Sequence, residues 1–284
     1  MSALSTIGLS KRYGGRRGIE DCTVELPEGK VVALVGANGA GKSTFLALAA
    51  GLVEPSSGAV RVFGDEVRGR IHPDAAYLSQ RRPLYGDFTV AEMVRAVAKM
   101  DRRWSRQRVE EALAAIDGLD VGARVESLSP GVRSRLALAL CLGRLPRLLL
   151  LDEPLADLDP LARDETIRLV MADVADRGMT VVISSHLLGE LREVCDHLLL
   201  LQGGRVGLDG DVDELLEQHR ELVGPADAGP PEIGTVVHAR KSGRQQRMLV
   251  RAPGVLAPGW ESRQPDLESL VTDYLRAGRE RAGA

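Results

Sequence analysis

The chain has 284 residues, 44% of them hydrophobic and 27% charged, with a formal net charge of −3, enough for one substantial α/β domain with an appendage or for two small domains. That near-balance leaves no footprint for a polyanion, so no nucleic-acid partner is expected. No apolar run approaches the ~20 residues of a membrane-spanning helix, Met1–Ser5 has no basic region leading into an apolar segment, and Cys22, Cys141 and Cys195 are too scattered for a disulfide framework or metal site, so a cytosolic chain with reduced, buried thiols is expected.

Short strands separated by turns are expected over 4–9, 18–26 and 30–35, broken by Gly14-Gly15 and by Pro27-Glu28-Gly29. The apolar run Val31-Val32-Ala33-Leu34-Val35 leads into Gly36-Ala37-Asn38-Gly39-Ala40-Gly41-Lys42-Ser43-Thr44, and Phe45-Leu46-Ala47-Leu48-Ala49 follows. Strand, glycine-rich loop, helix is the context a phosphate-binding P-loop requires. The glycines let backbone N–H groups turn inward around an anion, with the positive end of the helix dipole behind them. Lys42 adds a point charge for the β- and γ-phosphates, and Ser43 offers a hydroxyl to Mg²⁺. With five lysines in the chain, a chance match is rare. Residues Gly36, Asn38, Gly39, Ala40, Gly41, Lys42, Ser43 and Thr44 are therefore candidate ligands of a nucleoside triphosphate.

The helix should stop at Gly51, with a turn at Pro55-Ser56-Ser57-Gly58, a strand pair over 59–63 and 65–67, and a short strand ending at Ser79-Gln80. From about 90 to 143 the texture becomes helical: Val90, Met93, Val94 and Val97 recur at helix spacing, as do Val109, Ala112, Leu113 and Ile116. Apolar strands over 147–152 and 179–184 flank a helix over 160–177. A helix over 187–195 and a strand pair over 197–201 and 205–207 complete the run. Short apolar runs alternating with helices argue a parallel core sheet covered on both faces. Beyond 219 the character changes. A linker is expected over 224–231, a hairpin around Lys241-Ser242-Gly243-Arg244, and a last helix with Leu267, Leu270, Val271, Tyr274 and Leu275 on one face. Arg240, Lys241, Arg244, Arg247 and Arg251 read as a solvated basic edge that discourages strand pairing.

A second motif accompanies the P-loop. The strand Leu148-Leu149-Leu150-Leu151 delivers Asp152 and Glu153 at its C-terminal end, where open α/β sheets bind ligands. Asp152 suits a Mg²⁺ partner, direct or through water. Glu153 points elsewhere and is the candidate to polarise a water attacking the γ-phosphate.

With these residues in order, the chain resembles the nucleotide-binding subunits of ATP-binding-cassette (ABC) transporters of the bacterial exporter type, over roughly residues 3–217. Tyr13 matches the family's adenine-stacking aromatic, and Gln80 its glutamine that senses Mg²⁺ and the transmembrane partner. Leu128-Ser129-Pro130-Gly131-Val132 stands where the signature sequence Leu-Ser-Gly-Gly-Gln is usual. Asp159 matches the acid of the loop through which two protomers communicate, and His186 the γ-phosphate-sensing histidine. Each has an ordinary explanation alone, a packed tyrosine or a polar cap; their joint order makes the resemblance specific.

The resemblance implies an α/β P-loop NTPase with a RecA-like, mostly parallel core sheet. An antiparallel β subdomain, an inserted α-helical subdomain and a small C-terminal α/β appendage complete that fold. The implied boundaries are a nucleotide-binding domain over 1–218, with its core in 1–83 and 146–218 and its helical subdomain in 84–145, then an accessory segment over 219–284. It further implies ATP and Mg²⁺ as cofactors, and a head-to-tail dimer in which Ser129 and Gly131 of one protomer cap the ATP held by Lys42 of the other. That dimer is a homodimer or a pair with a related ATPase subunit. A separate transmembrane permease holds it at the cytoplasmic face of the membrane, and a drug-, antibiotic- or lipid-type exporter is the favoured reading. A soluble ABC-type ATPase is the alternative, and an ATP-binding regulatory module that does not turn over is a third. In the altered signature, Ser129 suits an N-cap and Pro130 the first helical position. Loss of the glutamine side chain at Val132 removes roughly one hydrogen bond, ~0.5–1.5 kcal/mol, so slower but active hydrolysis is expected.

Overall fold

Strands with no polar residue to spare are buried on both faces, and here they form the centre of the molecule. The computed structural model describes residues 1–185, 189, 191–227, 234–251 and 259–283. Its largest sheet has six strands: β3 (Val31–Val35), β6 (Ala75–Leu78), β7 (Leu148–Asp152), β8 (Thr180–Ser185), β9 (His197–Gln202) and β10 (Arg205–Asp211), in the order β10-β9-β3-β8-β7-β6. All neighbours are parallel except the edge strand β10, which runs antiparallel to β9. Alternation divides each strand between two cores. Val31, Ala33, Val35, Leu149 and Leu151 face one, while Val32, Leu34, Leu148 and Leu150 face the other.

Over the second face lie α1 (Lys42–Ala49), through Phe45, Leu46 and Leu48, and an antiparallel sheet. That sheet joins β1 (Ser2–Tyr13), β2 (Arg16–Pro27), β4 (Ser57–Val62) and β5 (Asp65–Glu66) in the order β2-β1-β4-β5. Between β6 and β7 the chain makes a helical insertion of α2 (Val90–Ala98), α3 (Arg106–Ala114) and α4 (Pro130–Leu142). Thr89 and Glu92 form a reciprocal capping box at the start of α2. Helix α4 is apolar on opposite sides: Leu136 and Leu140 pack in the insertion, whereas Ala137, Leu138 and Leu142 pack on the large sheet. The lobe is thereby keyed to the strand that carries Asp152. Helix α5 (Pro160–Arg177) follows that strand.

The remaining elements are α6 (Val212–Glu217), β11 (His219–Pro225), β12 (Thr235–Ser242), β13 (Gln245–Arg251), β14 (Glu261–Arg263) and α7 (Leu267–Gly283), the four strands pairing as β12-β13-β11-β14. Strand β11 runs to Pro225, so Gly224 and Pro225 end a strand instead of opening the expected linker. Trp260 packs on Gly224 so closely that a Cβ there would meet the indole at 2.6 Å. Leu267, Leu270 and Val271 of α7 enter the same core as Leu198, Leu200 and Leu208, and Gln202 Nε2 donates to Tyr274 O at 2.6 Å. Residues 187, 188 and 190 of the helix expected over 187–195 lie outside the described residues; Leu191–Val194 form turns instead.

Arg247 departs from the solvated basic edge. It pairs with Glu221 at 2.7 Å and with Asp273 at 3.4 Å, two carboxylates whose side chains are almost wholly buried; Arg263 also reaches Glu221. Removing a buried partner strands its counter-charge, so Glu221→Ala is expected to cost the C-terminal sheet about 3 kcal/mol. Urea titration followed by Trp260 fluorescence in a Trp104→Phe background reads that loss. An unchanged midpoint would show that the ion network is dispensable.

Candidate functional site

The P-loop's path depends on Gly41, which sits at φ 106°. A side chain there would place its Cβ 2.5 Å from Gly18 O and 2.8 Å from Ile19 Cδ1, so only glycine fits. Gly41 is also the N-cap of α1, with no side-chain cap and no acidic residue in the first turn. The first N–H groups of the helix are thereby left for an external acceptor. Lys42 is 5% exposed. Its Nζ donates to Gly36 O at 2.9 Å and lies 3.8 Å from Glu153 Oε1, so the loop itself aims the ammonium along the glycine-rich turn.

The two carboxylates at the end of β7 diverge because Glu153 adopts φ 48°, a left-handed conformation rare for a side chain with a Cβ. Asp152 stays in the sheet, 2% exposed, where its Oδ1 accepts from Ser43 Oγ at 3.1 Å and from Ser184 Oγ at 2.9 Å. Ser184 Oγ in turn accepts from Glu153 N at 2.9 Å. One hydroxyl on β8 therefore sets both acids. Gln80 Nε2 donates to Glu153 Oε2 at 3.2 Å. Nearby, the Tyr77 hydroxyl is pushed up to about 12 by burial and by the Asp152 charge, which keeps it neutral. Ser43 Oγ and Asp152 Oδ1 meet at 3.1 Å, and with the side-chain oxygen of Gln80 they offer only oxygen donors, the chemistry a small hard cation takes.

Glu153, Gln80, Asn38, Gly39, Ala40, Gly41, Lys42, Ser43, Thr44 and Tyr13 line a cleft of about 580 Å³, while the buried Asp152 and Gly36 are not part of its lining. Tyr13 is half exposed, with Lys11 Nζ 5.3 Å from its ring centre. Arg16 and Arg17, the first residues of β2, also line the cleft. They were not among the residues expected from sequence, although their place two and three residues after Gly14 in a hairpin that carries Tyr13 was the available signal. Ser184 was missed as well, and no local pattern marks it.

A second cleft, of about 440 Å³, holds Ser129, Pro130, Gly131, Val132, Asp157 and Asp159, and shares no lining residue with the first. Ser129 caps α4, its Oγ accepting from Val132 N at 3.3 Å, with Pro130 in the first turn. The proline thus sits where its missing N–H has no helical partner to lose. Gly131 lies against the neighbouring loop, where a Cβ would come 3.1 Å from Asp157 O. Asp159 caps α5 by accepting from Ala162 N at 3.1 Å. His186 lies outside the described residues.

Comparison with known proteins places the chain among relatives of one family. The family profile described as ABC transporter matches residues 19–156. The daunorubicin/doxorubicin resistance ATP-binding protein DrrA of Streptomyces peucetius is 36% identical over 224 residues, covering 75% of this chain and 66% of that protein. The Nod factor export ATP-binding protein I of Rhizobium johnstonii is 34% identical over 230 residues, covering 76% of this chain and 71% of its own length. A solved ATP-binding subunit of an ABC transporter superposes with a TM-score of 0.67 at 28% identity, over 76% of this chain and 93% of that one.

Proposed function

This chain belongs to the family of ABC transporter ATP-binding subunits, and from that premise we propose that it is the ATP-hydrolysing motor of a membrane exporter. Similarity to DrrA and to the Nod factor export protein supports the direction of transport and a drug-, antibiotic- or lipid-like cargo. The observation that carries the mechanism is the pair of separate clefts on one chain, a P-loop cleft and a Ser129–Gly131 cleft with no residue in common. A site completed by a second copy, or by a related subunit, uses both.

In this mechanism Tyr13 stacks on the base, and the N–H groups of the P-loop and Lys42 hold the phosphate tail. Ser43, Asp152 and Gln80 hold Mg²⁺, which when bound neutralises the β- and γ-phosphate charge. Glu153, steadied by Gln80 and Ser184, takes the proton of the attacking water. Ser129 and Gly131 of the facing subunit cap the same nucleotide, with Asp159 at their shared boundary and His186 assigned to the γ-phosphate. ATP thus favours closure, and hydrolysis removes the bridging charge and lets the pair reopen. We assign the nucleotide-binding domain to 1–218, with 84–145 as its helical lobe, and an accessory segment to 219–284.

Among the described residues no helix is long and apolar enough to cross a membrane. We assign the pathway to a separate permease, with this chain at its cytoplasmic face; relatives named as ATP-binding proteins of drug resistance and of Nod factor export support this reading. The test is purification of the chain from membranes with its partner. A polytopic protein that co-purifies and stimulates ATP hydrolysis is expected; a chain that stays in the soluble fraction with no such partner would favour a soluble ATPase. The signature segment gives a finer measurement. Val132 contributes its backbone N–H to the Ser129 cap, so Val132→Gln keeps the cap and restores an amide. Turnover or ATP affinity should rise about two- to ten-fold, the equivalent of one hydrogen bond. No gain would mean that this amide does not reach the nucleotide.

A further inference from the structure

Immediately after Gln80 the chain turns back on itself at Arg82, a non-glycine residue held at φ 45°. Its N–H donates to Ser79 O at 3.1 Å, and its carbonyl accepts from Leu84 N at 2.8 Å. The turn drives the side chain inward until it is only 9% exposed. There the guanidinium divides between two groups of the segment that follows β7. One Nη donates to the backbone carbonyl of Glu153 at 3.2 Å, and the other forms an ion pair with Asp157. Nε is buried with no hydrogen-bond partner among the described residues. A left-handed backbone and an orphaned buried donor are both unfavourable, and they persist here only because the guanidinium fork is held on its far side.

The two groups it holds lead to different parts of the site. Glu153 carries the side chain that faces Gln80 and Lys42. Asp157 lies in the second cleft, with its carbonyl oxygen against Gly131. We propose that Arg82 is a positioning residue that locks the turn after Gln80 to the Glu153–Asp157 segment. A displacement of that turn then moves the attacking-water side of one ATP site and the Gly131 face of the other together. This inference rests on the ATPase reading above and adds to it a connection within one subunit.

The test is a double-mutant cycle on the full chain, comparing wild type, Arg82→Ala, Asp157→Asn and the double variant by ATP turnover, KM and thermal melting. Arg82→Ala should lower kcat about ten-fold, with KM within about two-fold of wild type. Asp157→Asn should act in the same direction to a smaller extent, and the double variant should be no worse than Arg82→Ala alone. Arg82→Lys, which keeps a charge for Asp157 but lacks the planar fork, should recover only part of the loss. Should Arg82→Ala fail to fold, Asp157→Asn, altering a half-exposed side chain, carries the measurement. Unchanged kcat in folded variants, or losses that simply multiply, would overturn the coupling while leaving the ATPase assignment intact. A wild-type chain without ATP turnover would overturn both.

Discussion

Glu153→Gln is expected to lower ATP turnover by at least about 100-fold, the range for loss of a general base, while ATP binding survives. The amide has nearly the shape of the carboxylate, so its carbonyl oxygen retains the bond from Gln80 Nε2, 3.2 Å in the native site. The backbone N–H stays on Ser184, and the left-handed turn at φ 48° is untouched. What disappears is a negative charge 3.8 Å from Lys42 Nζ. That charge competes with the triphosphate for the ammonium, so removing it should leave ATP affinity unchanged or improved. With hydrolysis blocked and binding intact, ATP holds two subunits together. Light scattering after gel filtration should show a dimer with ATP and a smaller species with ADP, beside a phosphate-release assay near background. A monomer with normal turnover would remove Glu153 from the chemistry.

Lys42→Ala is expected to weaken ATP binding by about 100- to 1,000-fold, the loss of roughly two charge-assisted hydrogen bonds. The side chain is 5% exposed and anchored on Gly36 O at 2.9 Å, so its direction is set before any ligand arrives and little ordering entropy opposes binding. The truncation leaves the Gly36 carbonyl without this donor and removes the ammonium 3.8 Å from Glu153, which works against the fold as well as the function. A thermal melt run alongside calorimetric titration separates the two: a folded variant with unchanged ATP affinity would strip Lys42 of its assigned role. In both variants Tyr13 should continue to stack on the base, so residual binding of adenosine alone is expected to be equal in mutant and wild type.

The groups that could be read in the sequence are those whose chemistry depends on local spacing. The P-loop needs its glycines and Lys42 within nine residues of one another, and the paired acids need an apolar strand immediately before them; both requirements are visible in the chain. The parallel core was legible for the same reason, since β3 is a wholly apolar run and β7 and β8 are short buried strands with apolar centres, Leu148–Leu151 and Val181–Ile183. Groups that act across the fold left no such trace. Ser184 becomes an orienter of Asp152 and Glu153 only because β8 pairs with β7 in the register that sets Asp152 opposite it. Arg82 looks like one more arginine in an arginine-rich chain until β6 and β7 bring it to Asp157. Arg247 misled for a related reason: the other basic residues of its hairpin, Arg240, Lys241, Arg244 and Arg251, are exposed, but its partners Glu221 and Asp273 come from β11 and α7. The expected linker failed at Gly224-Pro225 because a glycine under an indole ring and a proline at the last position of β11, beyond the stretch paired with β14, are both compatible with a strand end.

The last helix of the chain has a mechanical meaning that its distance from the phosphate loop conceals. Gln202 grips α7 through the Tyr274 carbonyl, and the preceding carbonyl, that of Leu201, is the surface on which Gly36 rests, 2.5 Å from where a Cβ would stand. Tail and nucleotide cradle therefore lean on adjacent links of β9, from opposite sides. Trimming the protein ahead of Leu267 would not shorten a loose end; it would unfasten the backing against which the cradle's first glycine is seated.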